Sequence, residues 1–401
     1  MKIRGAGTAM LALTLGAAAP CAAQAPVGNP PADTTAAMTI QLPTTPPTPP
    51  DYPRGRISGY MFGDLYYNMN GDPNHVYSPA GVDAGQVNID GAKPITRDLN
   101  GFQLRRIYFQ LDNDLSYKYS TRFRIEMDSQ ALTSNGKIGA FVKNAYLQAK
   151  SVIPRGDFFF GMINTPTFLN SEEFWGYRSI EKTIADFRGL ASSSDIGVSL
   201  NGYADDNHRI GYLAMIGDGS TQKPESDRYK RFYFSLPLRF GDFRLEPYAD
   251  YQAVRVNLQP KNPASTDSLA VNNDQLLWKV FAGYAFRRFN LGLEALTQVR
   301  HKGPAPSQEP RGISVFANAT LTGTLAGFAR FDQWQPDHRA DNRVDNQLYI
   351  AGVDWQPFRD VHIMPNIEAS QFVRQGNAVV PPHNDLQTRI TFYYRFSRPQ
   401  S

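Results

Sequence analysis

From Arg54 to Phe396 the chain reads as strands of about ten residues whose connections alternate long and short. The long ones are Met69–Asn100, Ser129–Gly139, Asn164–Ser194, Gly217–Arg228, Val256–Asn273, Arg300–Gly312, Gln335–Asn346 and Val373–Asp385. The short ones lie at Asp112, Pro154, Ala204, Gly241, Arg287, Thr322 and Pro357. Eight long and seven short connections imply about sixteen strands in an up-and-down meander, with every long loop at one end. An even strand number returns both chain ends to the short-turn side. A β-sandwich has no need of that asymmetry, whereas a membrane β-barrel has short turns at one mouth and long loops at the other. A β span in lipid must also close on itself, because every backbone polar group needs a partner within the protein.

The segment YKYSTRFRIEMDSQ, Tyr117–Gln130, shows what such strands separate. Tyr119, Phe123, Ile125 and Met127 share one parity, and Lys118, Arg122, Arg124, Glu126 and Asp128 the other. Successive side chains of a strand point to opposite faces, so one face is apolar and the other charged. The apolar face is assigned to lipid and the charged face to a wet interior. Other strands repeat the pattern: Leu291, Leu293 and Val299 oppose Glu294, Gln298 and Arg300, and Ile390, Phe392 and Tyr394 oppose Arg389 and Arg395. Aromatics gather at the short turns, where Phe240 and Phe243 flank Gly241–Asp242 and Phe286 and Phe289 flank Arg287–Arg288, as an interfacial girdle requires. Pro237, Pro247 and Pro365 fall inside proposed strands; a bulge near a turn accommodates the first two, and nothing in the sequence explains Pro365 at mid-span. A barrel of sixteen or so strands is too wide for side chains to fill and leaves an aqueous channel.

The mean hydropathy of −0.41 resembles that of a soluble protein and hides this pattern. The N-terminus is different. Lys2 and Arg4 precede the apolar run Ala9–Ala19 and small residues follow, which reads as a signal peptide over 1–23. Cleavage there removes Cys21, the single cysteine, so the mature chain holds no disulfide. Residues 24–53 are dense in Pro and Thr and read as a periplasmic linker, with the barrel over 54–401. The formal charge of +4 falls to +2 without Lys2 and Arg4 and gives no reason to expect nucleic acid.

The stretches RRIYFQLDNDLSYKYSTRFRIEMDSQ, KNAYLQAK and GDFFFGMINTP…NSEEFWGYRSIEKT resemble the phosphate-selective porin family (porins O and P) of Gram-negative outer membranes. The similarity is clearest from Gly101 to Ser194. The resemblance implies a sixteen-stranded barrel, a homotrimer, and passage of anions or small solutes. The end of the chain, with Phe396 as its last aromatic, looks like the signal read by the outer-membrane assembly machinery, although SRPQS follows it. Family members commonly carry Lys before the Thr-Pro that follows the Gly-aromatic-Gly strand; here that residue is Asn164.

The expected function is a porin for passive diffusion of small solutes or ions, at most weakly preferring anions such as phosphate. An outer-membrane barrel serving adhesion, surface enzymology or cell-wall tethering is the alternative. Pore-lining candidates are Arg106, Lys118, Arg122, Arg124, Glu126 and Asp128. Interspersed charges of both signs give little net selectivity, unlike a ring of Arg or Lys. Arg122 and Arg124 read equally as members of a structural ion-pair network. The loop Asn164–Ser194 is the constriction candidate, carrying Glu172, Glu173, Trp175, Arg178, Lys182 and Arg188; an external cap or a trimer contact is its other reading. The six histidines are scattered, His338 with Asp337 and Asp341 being the group nearest a catalytic one, and no HExxH, P-loop or GxSxG pattern is present. No enzymatic activity, cofactor or metal is expected.

Overall fold

The computed structural model describes residues 52–73, 95–225, 227–258, 269–378 and 381–399. The segment read as a signal peptide, nearly all of that read as a linker, and 74–94 of the first long loop lie outside the described residues. The elements are β1 (Arg54–Asn70), β2 (Asn100–Asp114), β3 (Tyr119–Leu132), β4 (Ile138–Ile153), β5 (Gly156–Asn164), α1 (Leu169–Trp175), α2 (Ile184–Phe187), β6 (Ser194–Tyr203), β7 (Gly211–Gly217), β8 (Arg231–Ser235), β9 (Leu238–Phe240), β10 (Phe243–Gln252), β11 (Arg255–Leu258), β12 (Leu269–Asn272), β13 (Gln275–Phe286), β14 (Phe289–Lys302), β15 (Ala305–Gln308), β16 (Arg311–Thr320), β17 (Leu325–Gln335), β18 (Arg343–Phe358), β19 (Val361–Gln375) and β20 (Asp385–Pro399).

Each wall strand pairs antiparallel with its chain neighbour, and β1 pairs with both β2 and β20, which closes the sheet. Strands β8 and β9 are one wall strand broken at Pro237, because both pair with β10 in a single register, Ser235 opposite Tyr248 and Leu238 opposite Leu245. The hairpin β11–β12 forms its own small sheet within a long connection, and β15 folds back on the end of β14. What remains is a closed barrel of sixteen antiparallel strands.

Side-chain parity follows the alternation. Arg122, Arg124, Glu126 and Asp128 are buried from outside, while Tyr119 and Phe123 are exposed on the outer face with Phe232, Phe234, Leu291, Leu293, Ile390 and Phe392. An apolar belt of this extent is what a lipid-facing wall presents. At the short-turn end Phe240, Phe243, Phe286, Phe289, Phe358 and Phe396 are all exposed and outward.

Three details differ from the sequence expectation. Strands run longer than ten residues, 17 in β1 and 16 in β4 and β18, since hairpins continue pairing beyond the apolar belt. The connection expected over Ser129–Gly139 shrinks accordingly to a turn closed by Thr133 N–H donating to Lys137 O (2.8 Å). Tyr117 and Lys118 belong to a turn, because Leu115 and Ser116 N–H both donate to Tyr119 O and β3 starts there. Pro365 also finds its explanation. It points outward and pairs with Ile390 on β20, and the β18–β19 ladder is interrupted opposite Val353 and Asp354. The missing N–H of proline is thus absorbed as a local gap on one side only.

Candidate functional site

The connection between β5 and β6, residues 165–193, turns into the barrel instead of away from it. Its first helix, α1, ends because Gly176 adopts φ 73°, a left-handed conformation that favours glycine, while its N–H donates to Glu172 O (3.0 Å). The chain then doubles back through α2. Phe168, Phe174, Trp175, Ile184, Phe187 and Leu190 are all buried. They sit on an apolar stretch of inner wall made by Leu277 and Phe281 of β13, Leu296 of β14, Phe316 of β16, Phe328 and Trp334 of β17, and Leu348 and Ile350 of β18. Trp175 packs edge-on to Phe316 at 5.3 Å between ring centres, and Tyr177 lies 4.3 Å from Phe328. Such aromatic contacts add ~0.5–1.5 kcal/mol each beyond the area they bury. Gly312 is small for the same reason: a Cβ there would lie 2.7 Å from Ile184 Cδ1 and 3.0 Å from Trp334 Cε3.

Backbone carbonyls of the loop are met by wall side chains. Arg105 of β2 donates to Ile180 O (2.8 Å), Gln298 of β14 to Leu190 O (3.0 Å), Asn318 of β16 to Trp175 O (3.2 Å), and Arg330 of β17 to Lys182 O. Lys143 of β4 donates to Ser193 Oγ (2.7 Å), and Thr167 Oγ1 is 2.7 Å from Tyr248 Oη. The loop is rooted between the fifth and sixth wall strands and reaches β16 and β17 on the far side, so it crosses the lumen.

The opposite face of the loop is charged. Arg178 Nε lies 3.0 Å from Glu172 Oε2 and its Nη2 3.4 Å from Asp186 Oδ2; Lys182 Nζ is 3.8 Å from Asp186 Oδ1. Across from it stand β2, β3 and β4. There Arg106 pairs with Glu126 and, at 3.2 Å, with Asp128, while Lys143 Nζ is 2.9 Å from Glu126 Oε2. Arg106, Asp128, Arg178, Lys182 and Asp186 keep 12–19% of their side-chain surface open, whereas Trp175 and Ile184 keep none. Open space therefore borders the charged face and not the apolar one.

The two charged surfaces sense each other. Burial pushes the Lys182 amine down, and Arg106 and Arg178 push the same way against Asp186. Burial works to raise the Asp186 carboxyl, but Lys182, Arg178, Arg106 and Lys143 together hold it below its ordinary range. Glu181 is likewise held low, burial being outweighed by Arg105 and Arg389. Cations and carboxylates are closely balanced between the two surfaces, the arrangement by which charged walls set a field across the space they border.

The residues singled out in the sequence separate into groups. Arg106, Glu126 and Asp128 form one cluster on the wall, and Glu172, Arg178 and Lys182 another on the face of the loop turned toward it. Arg122 pairs with Asp112 (2.7 Å) over the ring of Tyr146, and Arg124 donates to Gln110 Oε1 (2.6 Å) over the ring of Tyr108. Glu173 points to Arg244 of β10 (3.7 Å). Trp175 and Arg188 belong to the loop's seat: Arg188 stacks between Phe187 and Trp334 and donates to Asn346. Lys118 is exposed in its turn. His338 contacts Glu309 O (2.8 Å) and Arg311 rather than Asp337 or Asp341. Lys143, Arg105 and the apolar seat were not singled out. Inner-facing apolar residues on strands lacking alternation, as in QLLWKVFAGYAF of β13, are the sequence signal that marks the seat.

No protein-family profile and no curated protein sequence matches the chain. Among solved structures the fold is similar to the outer membrane channel DcaP of Acinetobacter baumannii, at 12% identity and TM-score 0.59, covering 85% of this chain and 97% of that one. It is similar to the anion-selective porin from Comamonas acidovorans, at 9% identity and TM-score 0.58, covering 85% and 99%. It is also similar to OmpT of Vibrio cholerae, an outer membrane protein with a trimer form, at 12% identity and TM-score 0.56, covering 86% and 100%.

Proposed function

We propose that the protein is a porin of a Gram-negative outer membrane, holding a water-filled passage for diffusion of small solutes or ions. The observation that carries this reading is the partition of the 165–193 loop. Its apolar side is spent on the wall of β13–β18, while its charged side looks toward Arg106 and Asp128, and these charged groups on both surfaces stay partly open to water. A loop serving only to seal the barrel has no use for a polar face bordered by water. The similar structures support the reading because they are outer-membrane channels and porins of the same architecture. A homotrimer is part of the proposal, as is insertion through a cleaved signal peptide.

Ion preference is proposed to be modest, with phosphate at most weakly favoured. Each cation at the passage has a carboxylate within 4 Å, closer than the ~8 Å screening length at physiological salt, so their fields largely cancel along the pore. Planar-bilayer recording tests this. The wild type should give stable open channels. Arg106→Gln removes the cation shared by Glu126 and Asp128, so the reversal potential under a salt gradient should move toward cation preference, most at low salt. Glu126→Gln with Asp128→Asn should move it the other way. A wild type that passes no current refutes the porin reading.

A further inference from the structure

Two hairpins at the short-turn end make the same turn with different residues. Between β9 and β10, Gly241–Asp242 joins Phe240 to its cross-strand partner Phe243. Between β13 and β14, Arg287–Arg288 joins Phe286 to Phe289 in the same way. All four phenylalanines are exposed on the outer face, 37–56% open. They belong to the band of rings that sits where hydrocarbon gives way to headgroups. The first residue of each turn is left-handed: Gly241 has φ 61° and Arg287 φ 51°. Glycine takes that conformation at no steric cost, whereas arginine is strained in it. Strain kept where glycine would relieve it points to a use for the side chain.

The protein itself does not hold either arginine. Both are exposed, and among the described residues no carboxylate lies within ion-pairing distance of Arg287 or Arg288. Asp242, whose backbone O accepts the Ala285 N–H (2.9 Å), pairs with neither. At two other short turns arginines are matched within the protein, Arg155 by Asp206 and Arg395 by Asp360 (2.7 Å). The Arg287 guanidinium instead lies over the Phe286 ring, 5.2 Å from its centre, at the edge of the apolar belt. Phe286 in turn stacks on exposed Tyr284, 6.3 Å away. Two adjacent unpaired guanidiniums thus stand over a surface of outward rings. That is the complement of a lipid whose phosphodiester has no ammonium to balance it. Arginine takes phosphate through parallel N–H donors.

We propose that the Arg287–Arg288 hairpin is a docking site for an anionic phospholipid of the leaflet on the short-turn side, with the phosphodiester between the two guanidiniums and an acyl chain along Phe286, Phe289 and Tyr284. The site goes beyond the porin reading: it needs the barrel to stand in a membrane but not to conduct. The test reconstitutes the full chain in phosphatidylethanolamine vesicles carrying a photoactivatable phosphatidylglycerol or, in parallel, a photoactivatable phosphatidylethanolamine with the same chains, and maps the labelled peptides. The β13–β14 hairpin should be labelled roughly tenfold or more in favour of phosphatidylglycerol, since each basic residue near an anionic headgroup contributes about fivefold. Arg287→Gln with Arg288→Gln should bring the two lipids together; both side chains are exposed and unpaired, so the barrel tolerates the change. Lys223→Gln with Lys302→Gln, the same loss of charge on exposed residues of the long-loop end, should leave the preference unchanged. Glycerol phosphate, the headgroup without its chains, should not displace the label. Equal labelling by the two lipids in the wild type, a preference kept by the double arginine variant, one lost equally in the lysine variant, or displacement by glycerol phosphate (a free-anion site) overturns the proposal. A barrel that labels as expected and passes no current removes the porin reading and leaves this site standing.

Discussion

Replacing Trp175 by Ala strikes the centre of the loop's seat. The ring is fully buried, packs on Phe316, Tyr177 and Phe328, and donates from Nε1 to Glu181 O (3.0 Å). Truncating a buried Trp to Ala costs ~3–5 kcal/mol where the surroundings cannot collapse into the void. No barrel ladder contains Trp175, so the loss falls on docking of the loop rather than on closure of the wall. At ~1.4 kcal/mol per tenfold, the undocked fraction rises roughly a hundred- to several-thousand-fold. Single-channel recording should show noisier current with excursions to higher conductance. The unboiled protein should still migrate as a folded barrel on gels. Trp278→Ala, on the exposed outer face, serves as the control and should leave the current unchanged. A folded Trp175→Ala barrel with wild-type conductance and noise would refute the claim that this seat holds the loop in the lumen.

Two further outcomes follow from the same geometry. Phe123→Arg should impair assembly more than Arg122→Phe, because a lipid-facing Arg near the midplane costs ~2–4 kcal/mol while interior changes tune selectivity; equal damage in a refolding assay would contradict the assigned faces. The loop should also loosen in acid. Asp186 and Glu181 have carboxyls held low in the docked loop, so their contribution to docking is complete above the free-carboxylate range, ~4, and is lost as pH falls through the lower docked values. Current noise should therefore rise between pH 7 and pH 3, with a smaller rise in Asp186→Asn; identical noise at both pH values in the wild type would contradict it.

The barrel was legible because lipid outside and water inside impose a period of two on β3, β14 and β20, and because hairpin geometry alternates the connection lengths. The passage was legible only in part. Along β3 the nearest cation to Glu126 and Asp128 is Arg124, yet their partners are Arg106 and Lys143 on adjoining strands. Arg106 faces Asp128 only once the β2–β3 register is known. The loop's composition suggested a charged constriction but did not divide its two faces, and Trp175 and Arg188 went with the apolar one. That division is written in β13–β18, where inward Leu277, Phe281, Phe316 and Leu348 replace the polar residues of a wetted wall.

Accessibility of single cysteines during recording tests most directly whether water runs along the charged face of the loop. Cys21 is the sole native cysteine, and Cys21→Ser in the recording background removes the one other thiol. The predicted result is that a bulky cationic methanethiosulfonate reagent sharply reduces the current of Arg178→Cys and leaves that of Ile184→Cys unchanged. Modification that alters both equally, or neither, would contradict a passage set by the charged face of this loop.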